Sequence, residues 1–183
     1  MLDAARARFA ADGFAATTIR RIASDADVDP SQVIQFFGSK NDLFAAAMAI
    51  PEAVLARFRT PFEGPEEGLG ERVVRAFLSA WEGPVAESEP LMAMLRGAIN
   101  NEGARAQLRD FLQSRLLADS GDRLGPDAPL RAGIASSLLV GLIVGRDVIG
   151  VPLLVDADAE RLVDIAAPAI QSVLAPTTPE ESA

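Results

Sequence analysis

The side chains best equipped for chemistry lie between residues 18 and 40, and their types suit hydrogen bonding more than bond making. Ser31, Gln32 and Gln35 fall on the outward side of one short segment, and each can both donate and accept. A glutamine can address the N6 and N7 positions of adenine as a bidentate pair, and a hydroxyl can serve either a base edge or a phosphate. Arg20 offers a fork that fits guanine or phosphate. Thr18 supplies a hydroxyl and backbone N–H groups at a helix start, a setting that binds phosphate. Lys40 is the single lysine among seventeen basic residues. It opens a helix behind Ser39, where the positive end of the dipole disfavours a lone cation. An anion held by both resolves that conflict; a solvated surface lysine is the plainer alternative.

Covalent chemistry has little to work with. Cysteine, histidine and tyrosine are all absent. That excludes disulfides and thiolate metal sites, and removes the commonest general base and transition-metal ligand. The acidic clusters, Glu66-Glu67, Glu71 and Asp156 with Asp158, sit near expected helix starts, where acids complement the dipole. The chain is therefore not expected to be an enzyme, and neither a cofactor nor a metal site is expected.

The elements that must position these residues are helices. Of the 183 residues 49% are hydrophobic and 23% charged, in line with a folded, soluble chain. Strand patterning is scarce, while Ala, Leu, Arg and Glu fill segments of helical length. The reading is an all-α protein of about nine helices, a three-helix head on a larger bundle. Residues 2–11 form the first helix with Gly13 as its stop, and Thr18 caps a second through Ala26. After a turn at Asp27–Val28, Pro30 opens a third, which carries Val33, Phe36 and Phe37 and ends at Gly38. Longer helices are expected over 39–59, 67–82, 88–100, 102–124, 127–149 and 157–174, with breaks at Pro61–Pro65, Gly83-Pro84, Gly125-Pro126 and Val151-Pro152. Three parts are expected: a three-helix head over 1–47, a larger helical body over 48–175, and a disordered tail over 176–183.

Net charge is −9, unevenly spread. Residues 1–50 hold six acids and five bases, and the remainder holds twenty acids and twelve bases. An acidic body with a near-neutral head suits a protein that meets DNA with one end only. The N-terminus has charged residues where the apolar core of a signal peptide would run. The longest apolar stretch, Ala132–Gly145, falls short of the roughly 20 residues of a membrane span. It reads as a buried helix, in a cytoplasmic protein with no membrane partner.

Two short helices joined by a tight turn, the second polar on its outer face, form either a DNA-reading unit or an ordinary helical hairpin; periodicity alone leaves both open. The segment resembles the head of the tetracycline-repressor (TetR) family. The matching elements are Phe9, Gly13-Phe14, Thr18, Ile22-Ala23, Val28, Phe37, Ser39-Lys40 and Leu43-Phe44, across about the first 47 residues. That resemblance implies phosphate contacts from Thr18 and Lys40, with Arg20, Ser31, Gln32 and Gln35 at or near bases. Three positions depart from the family pattern. Ile34 stands where tyrosine is usual and Asp27 where glycine is usual, and no basic arm precedes the first helix. The departures predict weaker, more salt-sensitive binding.

A single short recognition helix reads too few bases, so such heads work in pairs. The body is expected to supply a homodimer through the 127–149 and 157–174 helices. Gly133, Ser137, Gly141 and Gly145 recur every four residues, flanked by Leu138, Leu139, Leu142 and Ile143, with Ile165 and Ala169 on the second helix. The resemblance implies the same pairing of the last two helices; packing of the row within one chain is the alternative. An effector pocket is expected around Phe77, Trp81, Met92, Leu95, Arg96 and Phe111, with Leu112 nearby and Asn100 and Gln107 as further polar partners. A core stripe is the alternative there. The function expected is a repressor that binds a palindromic operator in double-stranded DNA and is released by a small, largely apolar effector. The other reading is a helical ligand-binding or interaction protein that has lost DNA binding.

Overall fold

Capping chemistry sets the front of the chain. In the computed structural model, which describes residues 1–50, 52–99, 102–118 and 127–175, α1 spans Leu2–Ala16 and is interrupted at Gly13, whose φ of 73° and ψ of 170° suit only glycine. Thr18 caps α2 (Ile19–Asp25), its Oγ1 accepting from the Arg21 N–H at 3.3 Å. Asp29 caps α3 (Pro30–Phe37), which ends at Gly38 with φ 83°. Ser39 caps α4 (Lys40–Ala47), its Oγ accepting from the Asp42 N–H at 3.1 Å.

The single helix expected over 39–59 is instead two, α4 and α5 (Glu52–Arg59). The residue ahead of a proline is pushed out of the α region and the proline has no N–H to give, so Pro51 in the sequence marks the break. A 3₁₀ turn at Thr60–Glu63 follows, then α6 (Leu69–Trp81), α7 (Val85–Ala98), α8 (Glu102–Ala118) and α9 (Ala128–Ile143). A π turn over Val144–Ile149 prolongs α9. The short α10 (Pro152–Val155), which the sequence reading took as a break, precedes α11 (Ala159–Leu174). There is no strand among the described residues. The expected break at Gly125-Pro126, the end of the 102–124 helix and the tail from Pro176 lie outside them.

By packing, the chain divides into one unit of residues 1–52 and 81–110 and another of 53–80 and 111–183. This division follows contacts, not the functional cut at residue 47 expected from the sequence. In the first unit α1 packs on α4 and α7. Its core joins Phe9, Ile22, Ala23, Val33, Leu43, Phe44 and Met94. The Phe9 and Phe44 rings meet edge to face at 4.9 Å. Each buried aromatic or aliphatic side chain of this kind contributes about 1.5–3 kcal/mol.

In the second unit α9 packs on α11, and Arg131 Nη1 donates to the Val173 carbonyl at 3.0 Å. The backbones of α6 and α11 touch at Gly70: a Cβ there would lie 2.4 Å from the Ala167 carbonyl oxygen. The Gly70 N–H donates to Gln171 Oε1 at 2.7 Å, and Gln171 Nε2 donates to the Glu66 carbonyl at 2.9 Å. With its π turn, α9 makes a 22-residue helix containing an 18-residue window of mean hydropathy 1.7, long and apolar enough by length and composition to cross a membrane. The sequence reading made it a buried helix. Only one side is buried: Ala132, Ala135, Ser136, Leu139 and Ile143 face inward, while Leu130, Ile134 and Leu138 are exposed.

Candidate nucleic-acid interface

Ile22, Ala23 and Val33 are fully buried, so the angle between α2 and α3 is fixed by core packing. The turn joining them requires Asp27 to take φ 52°; no other described residue except glycine has positive φ. Aspartate tolerates this left-handed conformation less readily than the glycine usual at that point. With Val33 committed inward, Ser31, Gln32, Ile34, Gln35 and Phe36 all stand exposed on α3.

These polar side chains are not equally available. Asp29 Oδ1 accepts from both the Ser31 N–H, at 2.8 Å, and the Ser31 hydroxyl, at 2.5 Å. Those two bonds hold the Asp29 carboxyl below its ordinary value. Gln32 Oε1 accepts from the Asp29 N–H at 3.3 Å, completing a capping box. Gln35 makes no such bond and is the free amide of the helix. The Asp29-x-x-Gln32 spacing is itself a capping-box signature, so this engagement was readable in the sequence and was missed there. Phe36 is also unexpected, at 69% exposure, with Ile34 at 45%. Phe36 and Phe37 lie three and four residues beyond Val33, and only Phe37 turns inward.

The charges of the head sort into two groups. Arg6 pairs with Asp3 at 2.8 Å, and Arg21 with Asp12 at 3.5 Å. Arg8 meets Asp25 through Nη2 at 2.9 Å and Asp12 through Nη1 at 3.3 Å. The Arg8 hydrogen bond holds the Asp25 carboxyl below its ordinary value and raises the arginine in turn. Arg20 and Lys40 have no carboxylate partner. The Lys40 ammonium lies over the Phe14 ring. Thr18 is exposed and its Oγ1 faces the start of α2 as the cap. Among the described residues no group of acids could hold a metal ion.

The six residues expected to line a pocket are not gathered in one cavity. Phe77 and Phe111 line an apolar cavity of the second unit with Phe58, Pro61, Phe62, Val73, Leu112 and Leu139. Trp81, Met92, Leu95 and Arg96 belong to the first unit. There Trp81 and Leu95 are buried, Met92 is half-buried and Arg96 is exposed. Gln107 is half-buried with its Oε1 unpartnered, and Asn100 lies outside the described residues. The cavity measures about 20 Å³, space for one water-sized group.

The expected dimer row divides as well. Gly133, Ser137 and Gly141 are exposed on α9 beside Leu138 at 51%, with Leu142 half-buried. On α11, Ile165 at 63% and Ala169 are exposed. Gly145 is a correction: it is buried in its own chain, and a Cβ there would lie 2.9 Å from Leu154 Cδ1. The chain folds back over Gly145 after the π turn: α10 packs on that turn, the Val151 N–H donates to the Gly145 carbonyl at 2.9 Å, and Leu154 covers the glycine. Leu139 and Ile143, read as flanks of the row, face the chain's own core.

Residues 1–47 match the sequence model of the bacterial regulatory proteins, tetR family. Residues 67–174 match that of the tetracyclin repressor-like C-terminal domain. No curated protein matches the chain. Among solved structures, a TetR-family regulator from Streptomyces coelicolor A3 is 33% identical over 94% of this chain and 91% of its own, with a TM-score of 0.67. A candidate transcriptional regulator from Pseudomonas aeruginosa PAO1 shares the fold, with 20% identity over 95% of this chain and 88% of its own and a TM-score of 0.69. With a capped helix-turn-helix in front and both halves of the family pattern present, the chain belongs to the TetR family and is a DNA-binding transcriptional regulator.

Proposed function

We propose that the chain acts in the cytoplasm as a homodimeric repressor, reading a palindromic operator with α3 and releasing it when a small effector binds the second unit. The observation that carries this reading is the sorting of charge in the head. Three of its five cations are neutralised by carboxylates, and Arg20 and Lys40, the two assigned to DNA, are not. An unneutralised cation gains most from a phosphate, since binding releases counterions without first breaking an ion pair. Gln35 reads a base edge as the free amide; Ser31 and Gln32 must leave their cap bonds to do so, or serve to hold α3 rigid. Thr18 presents the N-terminal N–H groups of α2 to phosphate.

Dimerisation is supported by the exposed apolar faces of α9 and α11, including Leu138 and Ile165. A face of that kind on a soluble chain calls for a partner. In the dimer two α3 helices must stand about 34–36 Å apart to enter successive major grooves. An effector that binds a mismatched spacing better withdraws the protein from DNA by its differential affinity. Exposed Ile34 and Phe36 favour a second reading, a ligand-binding protein whose head no longer reads DNA.

Selection from random-sequence duplex at two salt concentrations separates the two. A palindrome with half-sites about one turn apart, relaxed in Gln35→Ala and recovered with uniformly weaker affinity in Lys40→Ala, is the expected result. Recovery of no motif by an intact dimer would establish the second reading in its place.

A further inference from the structure

Resting on the reading that an effector binds the second unit, we propose that this effector is an amphiphilic anion. Its compact charged head meets Arg72 in an open groove, and its apolar chain enters the adjoining cavity by displacing Phe58.

The groove has a volume of about 430 Å³, within the range of small-molecule sites, and is lined by Arg57, Thr60, Pro61, Arg72, Arg75, Ala76 and Ser79. Pro61 and Ala76 also line the apolar cavity, so the two spaces share a wall. Arginine on one side of that wall and phenylalanine on the other is the arrangement that an amphiphile matches. The cavity itself is closed in this state: the Phe58 ring stands edge-on to Phe111 at 5.3 Å and to Phe77 at 6.3 Å. An apolar chain can enter only if that trio opens.

Arg72 distinguishes this groove from an ordinary basic patch. Its Nε donates to the Pro61 carbonyl and its Nη1 to the Glu67 carbonyl, each at 2.9 Å, and its Nη2 donates to the Pro65 carbonyl. The guanidinium lies against Gly64, where a Cβ would come within 2.9 Å of its Cζ. Loop 61–67 is thus wrapped around one half-buried side chain. Neutral carbonyls take three of its five N–H donors, and no carboxylate lies within ion-pair distance. Arg75, by contrast, is held between Glu71 and Glu160. A half-buried positive charge with two open donors and no counter-ion is a place for an anionic head. The carboxylates around Arg75 and the acidic balance of the body disfavour a polyanion, which limits the head to one or two charges.

The same loop explains how such a ligand reports its presence. Pro61 and Phe62 line the cavity, Arg72 fixes Pro61 and Pro65, and Gln171 of α11 holds Glu66. Opening the cavity therefore strains a loop tied to α11, one of the two helices proposed for the dimer.

The test is calorimetric titration of the full chain, free of DNA, with octanoate, octyl phosphate, octanol, octylamine and acetate. Octanoate or octyl phosphate should bind at least about ten-fold more tightly than octanol, the discrimination expected when a charged hydrogen-bonding group is lost. Acetate and octylamine should be weakest. Arg72→Gln should bring octanoate to within about two-fold of octanol, as a charge-specific role requires. Should that variant melt at a lower temperature through loss of its loop bonds, the head-group series in the unaltered chain still decides. Equal affinity for octanol and octanoate would overturn the anionic head and leave an apolar effector standing. Acetate as strong as octanoate would overturn the apolar chain, and no binding by any probe would overturn the inference entirely. Tight octanoate binding that leaves the selected duplex bound would support the site while refuting release by effector.

Discussion

The ammonium of Lys40 stands 4.3 Å from the centroid of the Phe14 ring, so the chain's one lysine is held by an aromatic face and by no carboxylate. Phe14 is in turn wedged edge-on against Phe44 at 5.0 Å and stacked on Phe9 at 5.9 Å. A cation on a ring face keeps its charge and its N–H donors, whereas a cation in an ion pair must give up a partner to meet phosphate. Core packing of the head thereby holds Lys40 at the start of α4 in a state ready for an anion.

Lys40→Ala should weaken binding to all duplex sequences alike and lower the salt slope of log K by about one. Phe14→Leu should retain the slope while lowering stability by about 1 kcal/mol or more through lost packing and ring contact. Fluorescence titration at several salt concentrations, paired with urea unfolding, separates the two. An unchanged slope in Lys40→Ala would remove Lys40 from the interface.

Acid should loosen the head. The carboxyls of Asp25 and Asp29 sit below the ordinary 3.8, through hydrogen bonds from Arg8 and Ser31 respectively. Their stabilisation is complete above the unfolded value and is lost as pH falls through the lower folded values, that is, below about pH 4. Thermal melts from neutral pH to about pH 2.5 should show the loss. Asp29→Asn, which keeps a capping acceptor, should make the acid limb shallower. A melting temperature that is level down to about pH 3 would contradict the assignment.

Two glycines of one apparent row should behave oppositely. A Cβ at Gly141 meets nothing within 4 Å, and one at Gly145 meets Leu154. Gly141→Leu should spare the fold and shift sedimentation towards monomer, as should Leu138→Glu and Ile165→Glu. Gly145→Val should cost about 1–3 kcal/mol of folding stability by overpacking. A Gly141→Leu chain that sediments as the wild type would exclude this face as the dimer contact.

Gly70→Ala should be among the most damaging small substitutions, at about 2–3 kcal/mol, because its Cβ would lie 2.4 Å from a backbone oxygen that cannot swing aside. Urea unfolding gives the value. A loss under about 0.5 kcal/mol would mean that α6 and α11 separate easily.

Asp27→Gly should stabilise the head by about 0.5–1 kcal/mol, since glycine reaches φ 52° without the steric cost that aspartate bears. The gain is partly offset by the entropy of a freer unfolded chain. A lowered midpoint in the same assay would show that Asp27 makes a compensating bond.

Local chemistry was enough to find the helices of the head. Thr18, Asp29-Pro30, Gly38 and Ser39 act within one turn of themselves, so their effect on the backbone is written beside them. The all-α class, the position of the turn and the outward placing of Gln35 all follow from such short-range rules and the 3.6-residue period. The split of the 39–59 segment also lay in the sequence, in the proline that the periodicity overrode.

Selection among chemically equal candidates depended on residues far away in the chain. Phe36 and Phe37 have the same composition and nearly the same phase, and only the packed core takes one and leaves the other in solvent. Arg8 and Arg20 are both arginines of the head; Asp25, 17 residues from Arg8, neutralises the first and not the second. Gly70 and Gln171 meet across 101 positions. Gly145 is lost from the row of Gly133 and Gly141 because Leu154, nine residues further on, folds back over it. The sequence by itself determined which residue types were present and which local conformations they favour; burial, charge neutralisation and cavity membership were decided only by the tertiary structure, because each depends on the distance between segments that no local rule connects.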